Sequence, residues 1–89
     1  TAPAFHINTI APNPATTAAE VTFTMDQPAP VRVEVYNVNG ELVHTAYTGS
    51  LDAGIHGISV STDSLPAGAY AVAITVGSKR STQMLSVVR

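Results

Sequence analysis

Turn-forming residues divide the chain at regular intervals into short segments in which apolar and polar side chains alternate. The turn residues lie at five places: Pro12-Asn13-Pro14, Asn39-Gly40, Asp52-Ala53-Gly54, Leu65-Pro66-Ala67-Gly68 and Gly77-Ser78. The segments between them are rich in Val, Ile, Thr and Tyr, residues that favour β-strands. Short strands at this spacing, with no segment of helical periodicity, predict an all-β fold, an immunoglobulin-like antiparallel β-sandwich of about seven strands.

Length and composition restrict both the size of the fold and its function. With 89 residues, 45% of them apolar, we expect one domain over residues 1–89, and the absence of cysteine excludes disulfides. Only four residues are basic, too few for the cationic surface that binds nucleic acid, so we expect no nucleic-acid partner. The six acids are dispersed, so we expect no metal, cofactor or catalytic site, and the histidines are equally scattered, at His6, His44 and His56.

The alternation also predicts where the strands lie and which side chains they bury. Seven strands are expected, over residues 4–10, 20–25, 31–38, 41–48, 54–61, 69–76 and 81–88. The residues expected in the core occupy inward positions of three of these strands: Val21, Phe23, Val33, Val35, Tyr70, Val72 and Ile74. The last strand allows two registers, and we favour Leu85 and Val87 inward because the other register would bury Ser86.

The turn residues predict the geometry of three connections. Asn39-Gly40 predicts a type I′ hairpin turn, because both residues tolerate a positive φ. Gly77-Ser78 predicts a type II′ turn. Leu65-Pro66-Ala67-Gly68 fits a type I turn with Pro at the second position and Gly at the fourth.

Two strands carry irregular or ambiguous positions. In the third strand Val38 is apolar where the alternation calls for a polar residue, so we expect a bulge near Tyr36 and Asn37. In the first strand, Phe5 and Ile7 should share one face with Thr9.

Two aromatic rings are expected to have structural roles. His56 shares its face of a strand with apolar residues and should pack its ring at the strand end. Tyr70 follows a corner, where a tyrosine buries its ring and donates its hydroxyl to the backbone.

Five motifs, taken in order, resemble a known family over residues 10–89. They are Pro12-Asn13-Pro14, the hairpin segment 33–43 around Asn39-Gly40, Leu51-Asp52-Ala53-Gly54-Ile55-His56, Leu65-Pro66-Ala67-Gly68-Ala69-Tyr70 and Met84-Leu85-Ser86-Val87-Val88-Arg89. This series resembles the C-terminal sorting domain of type IX (Por) secretion cargo and is similar to the Ig-like domain of flagellar hook-capping proteins.

The resemblance implies a non-catalytic module at the C-terminus of a larger secreted bacterial protein. Its partners would be the outer-membrane secretion and attachment machinery, and a catalytic or adhesive domain upstream in the parent chain. The expected location is beyond the outer membrane, either extracellular or attached to the cell surface. We expect recognition of the terminal strand, because an edge strand can be read by β-augmentation; the residues concerned are Leu85, Ser86, Val87, Val88 and Arg89.

Two other functions fit the same sequence. A carbohydrate-binding module of a secreted glycoside hydrolase would need exposed, coplanar aromatic rings, which Tyr36 and Tyr47 could supply if both point outward on the Asn39-Gly40 hairpin. Cross-strand packing against aliphatic neighbours is the other interpretation of these two tyrosines. A structural spacer or hook-cap-like module would instead associate weakly with itself along an edge strand.

Overall fold

The computed structural model describes residues 5–11 and 17–88. Within these ranges the chain forms strands and turns and no helix. The seven strands are β1 (Phe5–Ala11), β2 (Ala18–Met25), β3 (Ala29–Tyr36), β4 (Leu42–Leu51), β5 (Gly54–Ser61), β6 (Gly68–Val76) and β7 (Lys79–Val87). Three expectations lie outside the described residues: the strand start at residue 4, the Pro12-Asn13-Pro14 turn and the position of Arg89.

The strands form two antiparallel sheets that pack as a sandwich. The three-stranded sheet has the order β1-β2-β5, and the four-stranded sheet has the order β4-β3-β6-β7. The predicted seven-stranded, immunoglobulin-like sandwich is therefore confirmed. In the four-stranded sheet, β7 lies at one edge and β4 at the other.

Alternate apolar residues of the central strands form the core between the sheets. Val31, Val33 and Val35 of β3 are at most 2% exposed, whereas Arg32 between them points to solvent. A Val or Ile side chain buried in this way contributes about 1.5–3 kcal/mol relative to an exposed one. The whole set predicted for the core is buried: Val21, Phe23, Val33, Val35, Tyr70, Val72 and Ile74.

The β3–β4 connection is not the predicted type I′ turn. Gly40 N donates to Asn37 O over 3.0 Å, so the central residues of the turn are Val38 and Asn39. Only Gly40 has a positive φ, of 81°, and Asn39 does not, which excludes type I′. The result is a three-residue loop that ends in a glycine bulge. The Asn37 side chain stabilises it, because its Oδ1 accepts from the backbone N–H of Asn39 and of Glu41, both at 3.0 Å.

The pairing is irregular next to Tyr36, as predicted, but the extra residue lies in the facing strand and not in β3. β3 ends at Tyr36, and Val38 is a turn residue that is 78% exposed, so no bulge near Tyr36 and Asn37 is needed to explain its position. The irregular pairing belongs to β4, which inserts Val43 and Ala46 opposite a regular β3.

In β1, the pairing with β2 shifts between Ile7 and Thr9, so that Asn8 is the extra residue. Consequently Ile10, rather than the predicted Thr9, joins Phe5 and Ile7 against the core.

The Gly77-Ser78 turn agrees with its predicted type, and the corner before β6 carries a hydrogen-bonded turn slightly earlier in the chain. At Gly77-Ser78 only Gly77 has a positive φ, of 60°, between the paired residues Val76 and Lys79, which agrees with the predicted type II′ turn. At the preceding corner, Leu65 N donates to Thr62 O over 3.0 Å. The hydrogen-bonded turn thus spans residues 62–65 and directly precedes the 65–68 segment for which a type I turn was predicted.

Candidate recognition surface

The last strand is an edge strand with one face in the core. β7 pairs with β6, so that Leu85 lies opposite Tyr70 and Val87 lies opposite Gly68. Leu85 and Val87 are 1% and 2% exposed, which confirms the register favoured from the sequence. Ser86 lies on the opposite face and is exposed.

Tyr70 fixes the start of β6, the strand with which β7 pairs. The ring of Tyr70 is buried, and its hydroxyl donates to the carbonyl oxygen of Pro66 over 2.5 Å. This is the corner tyrosine that the sequence predicted. Because Tyr70 lies opposite Leu85, the corner, the start of β6 and the end of β7 form one packed unit.

The outer face of the four-stranded sheet carries an apolar row that crosses all four strands. Tyr36 pairs with Leu42 on one side and with Ala71 on the other, and Ala71 pairs with Met84. These four residues, which we call the apolar row, come from four separate segments of the chain. Met84 is 61% and Leu42 50% exposed, so the row faces solvent. Sequence alternation did not single it out, because it depends on the pairing register.

Exposed apolar side chains are concentrated on this sheet. Among the described residues, six large apolar side chains are exposed, and five of them belong to the four-stranded sheet, its β3–β4 connection or the residue after β7: Val38, Leu42, Val43, Met84 and Val88. The sixth, Ile55, lies on β5 in the other sheet. A cluster of exposed apolar side chains is typical of a surface that binds a partner, whereas a single exposed one is ordinary.

Tyr36 is the polar centre of the apolar row. Its hydroxyl donates to Glu34 Oε1 over 3.1 Å, and the guanidinium carbon of Arg80 lies 5.4 Å from the centroid of its ring. A cation at this distance over a tyrosine face is attracted by the negative charge density of the ring. The row is therefore flanked by one carboxylate and one guanidinium.

Tyr36 and Tyr47 do not share a face. Tyr47 pairs with the fully buried Val33 and packs against the core, whereas Tyr36 alternates with Val33 and Val35 and points outward. The condition for an aromatic platform, two rings facing solvent together, is not met. The extra residue Ala46 in β4 changes the alternation at this point, and this insertion could not be recognised in the order of residues alone.

The histidines and acids remain dispersed in the structure. His56 packs against Phe23, with ring centroids 5.9 Å apart, as predicted. Its Nε2 lies 2.6 Å from Asp52 O; because a carbonyl only accepts, Nε2 carries the donated proton. Within residues 5–11 and 17–88, no three His, Asp or Glu side chains come close enough together to hold a metal ion. Nor does this part of the chain contain a helix with the length and hydropathy to cross a bilayer.

The fold is a small all-β sandwich whose last strand lies at the edge of its sheet. The family model of the secretion system C-terminal sorting domain matches residues 9–88, and the chain belongs to this family. It is thus a sorting signal of type IX secretion cargo, which implies interaction with that machinery and export across the outer membrane. Membership in a family of sorting signals favours a non-catalytic role. No curated protein matches the chain.

Proposed function

We propose that the domain directs an attached upstream protein through type IX secretion by presenting the C-terminal segment 85–89, which begins in β7, and that it then attaches this protein to the cell surface. Family membership supports the sorting role. The position of β7 supports the choice of the last strand, because β7 is the edge of its sheet and β6 is its neighbour among the described strands.

An edge strand is suited to recognition by main-chain pairing. A partner strand that adds to a sheet edge gains affinity from backbone hydrogen bonds and specificity from alternate side chains. In β7 the inward side chains, Leu85 and Val87, hold the strand on the core, and the outward ones, such as Ser86, remain at the surface. The strand can thus be read without unfolding the sandwich.

Carbohydrate binding has less support. Tyr36 lies on the outer face and is engaged by Glu34 and Arg80, while Tyr47 packs against the core. Flat sugar rings stack on exposed aromatic faces, and the two tyrosines do not provide a shared one. Sorting therefore remains the function that the geometry supports best.

The test is export of a reporter enzyme fused upstream of residues 1–89 in a bacterium with an active type IX system. Removal of residues 84–89, a charged extension after Arg89, or Val88→Glu should trap the reporter in the periplasm. Val88 is 42% exposed, so its substitution should cost little stability, and the thermal transition of each fusion must show that it is folded. If all three variants reach the surface normally, recognition of the last strand is wrong.

Attachment is measured in the same experiment. With the intact domain, a large fraction of the exported reporter should sediment with the cells. A reporter that lacks the domain and is exported by an unrelated route should instead be found mainly in the medium. A reporter that is exported by this domain and found entirely in the medium would contradict attachment and leave sorting intact.

A further inference from the structure

A shallow pocket lies on the outer face of the four-stranded sheet, beside the last strand. It has a volume of about 290 Å³ and is lined by Asn37, Val38, Ala69, Tyr70, Ala71 and Met84. Its floor is low because the outward side chains of β6 are the methyl groups of Ala69 and Ala71. Its walls are Val38, in the β3–β4 connection, and Met84, in β7.

The pocket walls are apolar side chains that solvent reaches. Val38 is 78% and Met84 61% exposed, and Leu42 extends the same apolar row to the far edge of the sheet. Covering this exposed apolar area with another apolar surface contributes about 25 cal/mol of binding free energy for each Å² removed from water. The pocket thus favours an apolar occupant.

The polar groups at the rim distinguish between the possible occupants. The lining has two polar side chains, and both are already bonded: Asn37 donates to Glu41 Oε1 over 3.0 Å, and the Tyr70 hydroxyl donates to Pro66 O. A sugar would therefore find few partners for its hydroxyls. Glu34 and Glu41 lie beside the apolar row and would repel an anionic lipid surface. An apolar centre with Tyr, Met and Arg around it and a rim of mixed charge is the composition of a protein interface.

We propose that this pocket receives an apolar side chain of a protein of the type IX machinery, so that the machinery recognises the outer sheet face together with the last strand. The inference rests on the proposed sorting function, which supplies the partner. The two surfaces are continuous, because Met84 is a wall of the pocket and also a residue of β7.

The outer face of the other sheet provides a contrast. Its outward positions on β2 are Glu20, Thr22 and Thr24, and their partners on β5 are Ser59, Gly57 and Ile55. Among these six residues Ile55, 72% exposed, is the one large apolar side chain. This face therefore lacks the apolar row and serves as an internal control.

The decisive variant is Val38→Glu, in the same reporter fusion used for the sorting test. Val38 lies outside β7, so recognition of the strand edge alone predicts unchanged export, whereas docking at the pocket predicts a loss. We expect export to fall about tenfold or more, the effect of losing one central apolar contact. Ile55→Glu, which adds the same charge at a similarly exposed apolar position, should leave export unchanged.

A second variant tests the pocket without adding charge. Ala71→Leu raises the floor and should also reduce export, while both variants keep a thermal transition close to that of the parent fusion. If Val38→Glu and Ala71→Leu are exported normally while removal of residues 84–89 traps the reporter, the pocket proposal is wrong and the sorting proposal stands. If the truncated fusion is exported as well, both proposals are wrong. Equal losses for Val38→Glu and Ile55→Glu would also contradict docking at this face.

Discussion

The hydroxyl of Tyr70 donates a hydrogen bond to the carbonyl oxygen of Pro66, 2.5 Å away, and so joins the start of β6 to the corner before it. Tyr70 also lies opposite Leu85 of the last strand. One side chain therefore links the corner, a central strand and the proposed recognition strand. The stability of β7 should depend on a contact that no residue of β7 itself makes.

Replacing Tyr70 with Phe tests this link. The change keeps the buried ring and removes the hydroxyl, so the free energy of unfolding should fall by about 1 kcal/mol, the usual net value of one such hydrogen bond. Chemical denaturation measures the loss, and amide hydrogen exchange should show faster opening of β7 than of β2. Tyr36→Phe is the control, since its hydroxyl bonds to Glu34 at the sheet surface and its loss should cost less. Equal losses for the two variants would contradict a special role for the corner.

Gly40 should be sensitive to any side chain for reasons of backbone conformation alone. Its φ of 81° is in the left-handed region, yet a Cβ placed there would meet nothing within 4 Å. Gly40→Ala should therefore destabilise the domain by about 1–2 kcal/mol through backbone strain, and Gly40→Asn by less, because Asn tolerates this conformation. Thermal and chemical unfolding of the two variants give the comparison. A silent Gly40→Ala would mean that the loop can adopt another turn.

Gly57 is predicted to behave in the opposite way. Its φ is not in the left-handed region, and the atom that a Cβ would meet first, at 2.9 Å, is Oε2 at the end of the exposed Glu20 side chain. That carboxylate can rotate away, so Gly57→Ala should change the free energy of unfolding by less than about 0.5 kcal/mol. A loss of 1 kcal/mol or more, measured by chemical denaturation, would show that Glu20 is held in place.

Sequence alternation predicted the regular parts of the sandwich well and the irregular parts poorly. β2, β3 and β6 are central strands buried on one face, so their period of two appears directly in the order of residues. Val38 was assigned to a strand because apolar residues are expected inside, although it lies in an exposed turn. The insertions at Val43 and Ala46 belong to the pairing of β4 with β3, which is a property of two strands and not of one.

The candidate surface depends even more on long-range pairing. Leu42, Tyr36, Ala71 and Met84 become neighbours only through three strand registers. In the sequence, Met84 reads as an outward residue of the last strand and Ala71 as a small one, and neither gives a reason to connect them. The last strand was predictable, because its burial pattern is local, whereas the pocket beside it was not.

Metal binding is expected to be absent at stoichiometric levels. Within the described residues the histidines and acids form no cluster of three. The ring of His56 already packs against Phe23, and its Nε2 is hydrogen-bonded to Asp52 O. Calorimetric titration of the domain with Ca²⁺ and with Zn²⁺ should show no saturable heat at micromolar concentrations. A site of micromolar affinity would overturn the interpretation of these residues as structural.

Two adjacent valines at the end of the last strand should differ strongly in their response to the same substitution. Val87, the last residue of β7, is 2% exposed, and Val88, which follows it, is 42% exposed. Val87→Glu places an unpaired carboxylate in the core and should cost roughly 3–5 kcal/mol, whereas Val88→Glu should cost less than about 0.5 kcal/mol. Thermal and chemical unfolding measure both. Similar losses would mean that the last strand has another register, and Val88→Glu would then no longer be a folded variant for the sorting test.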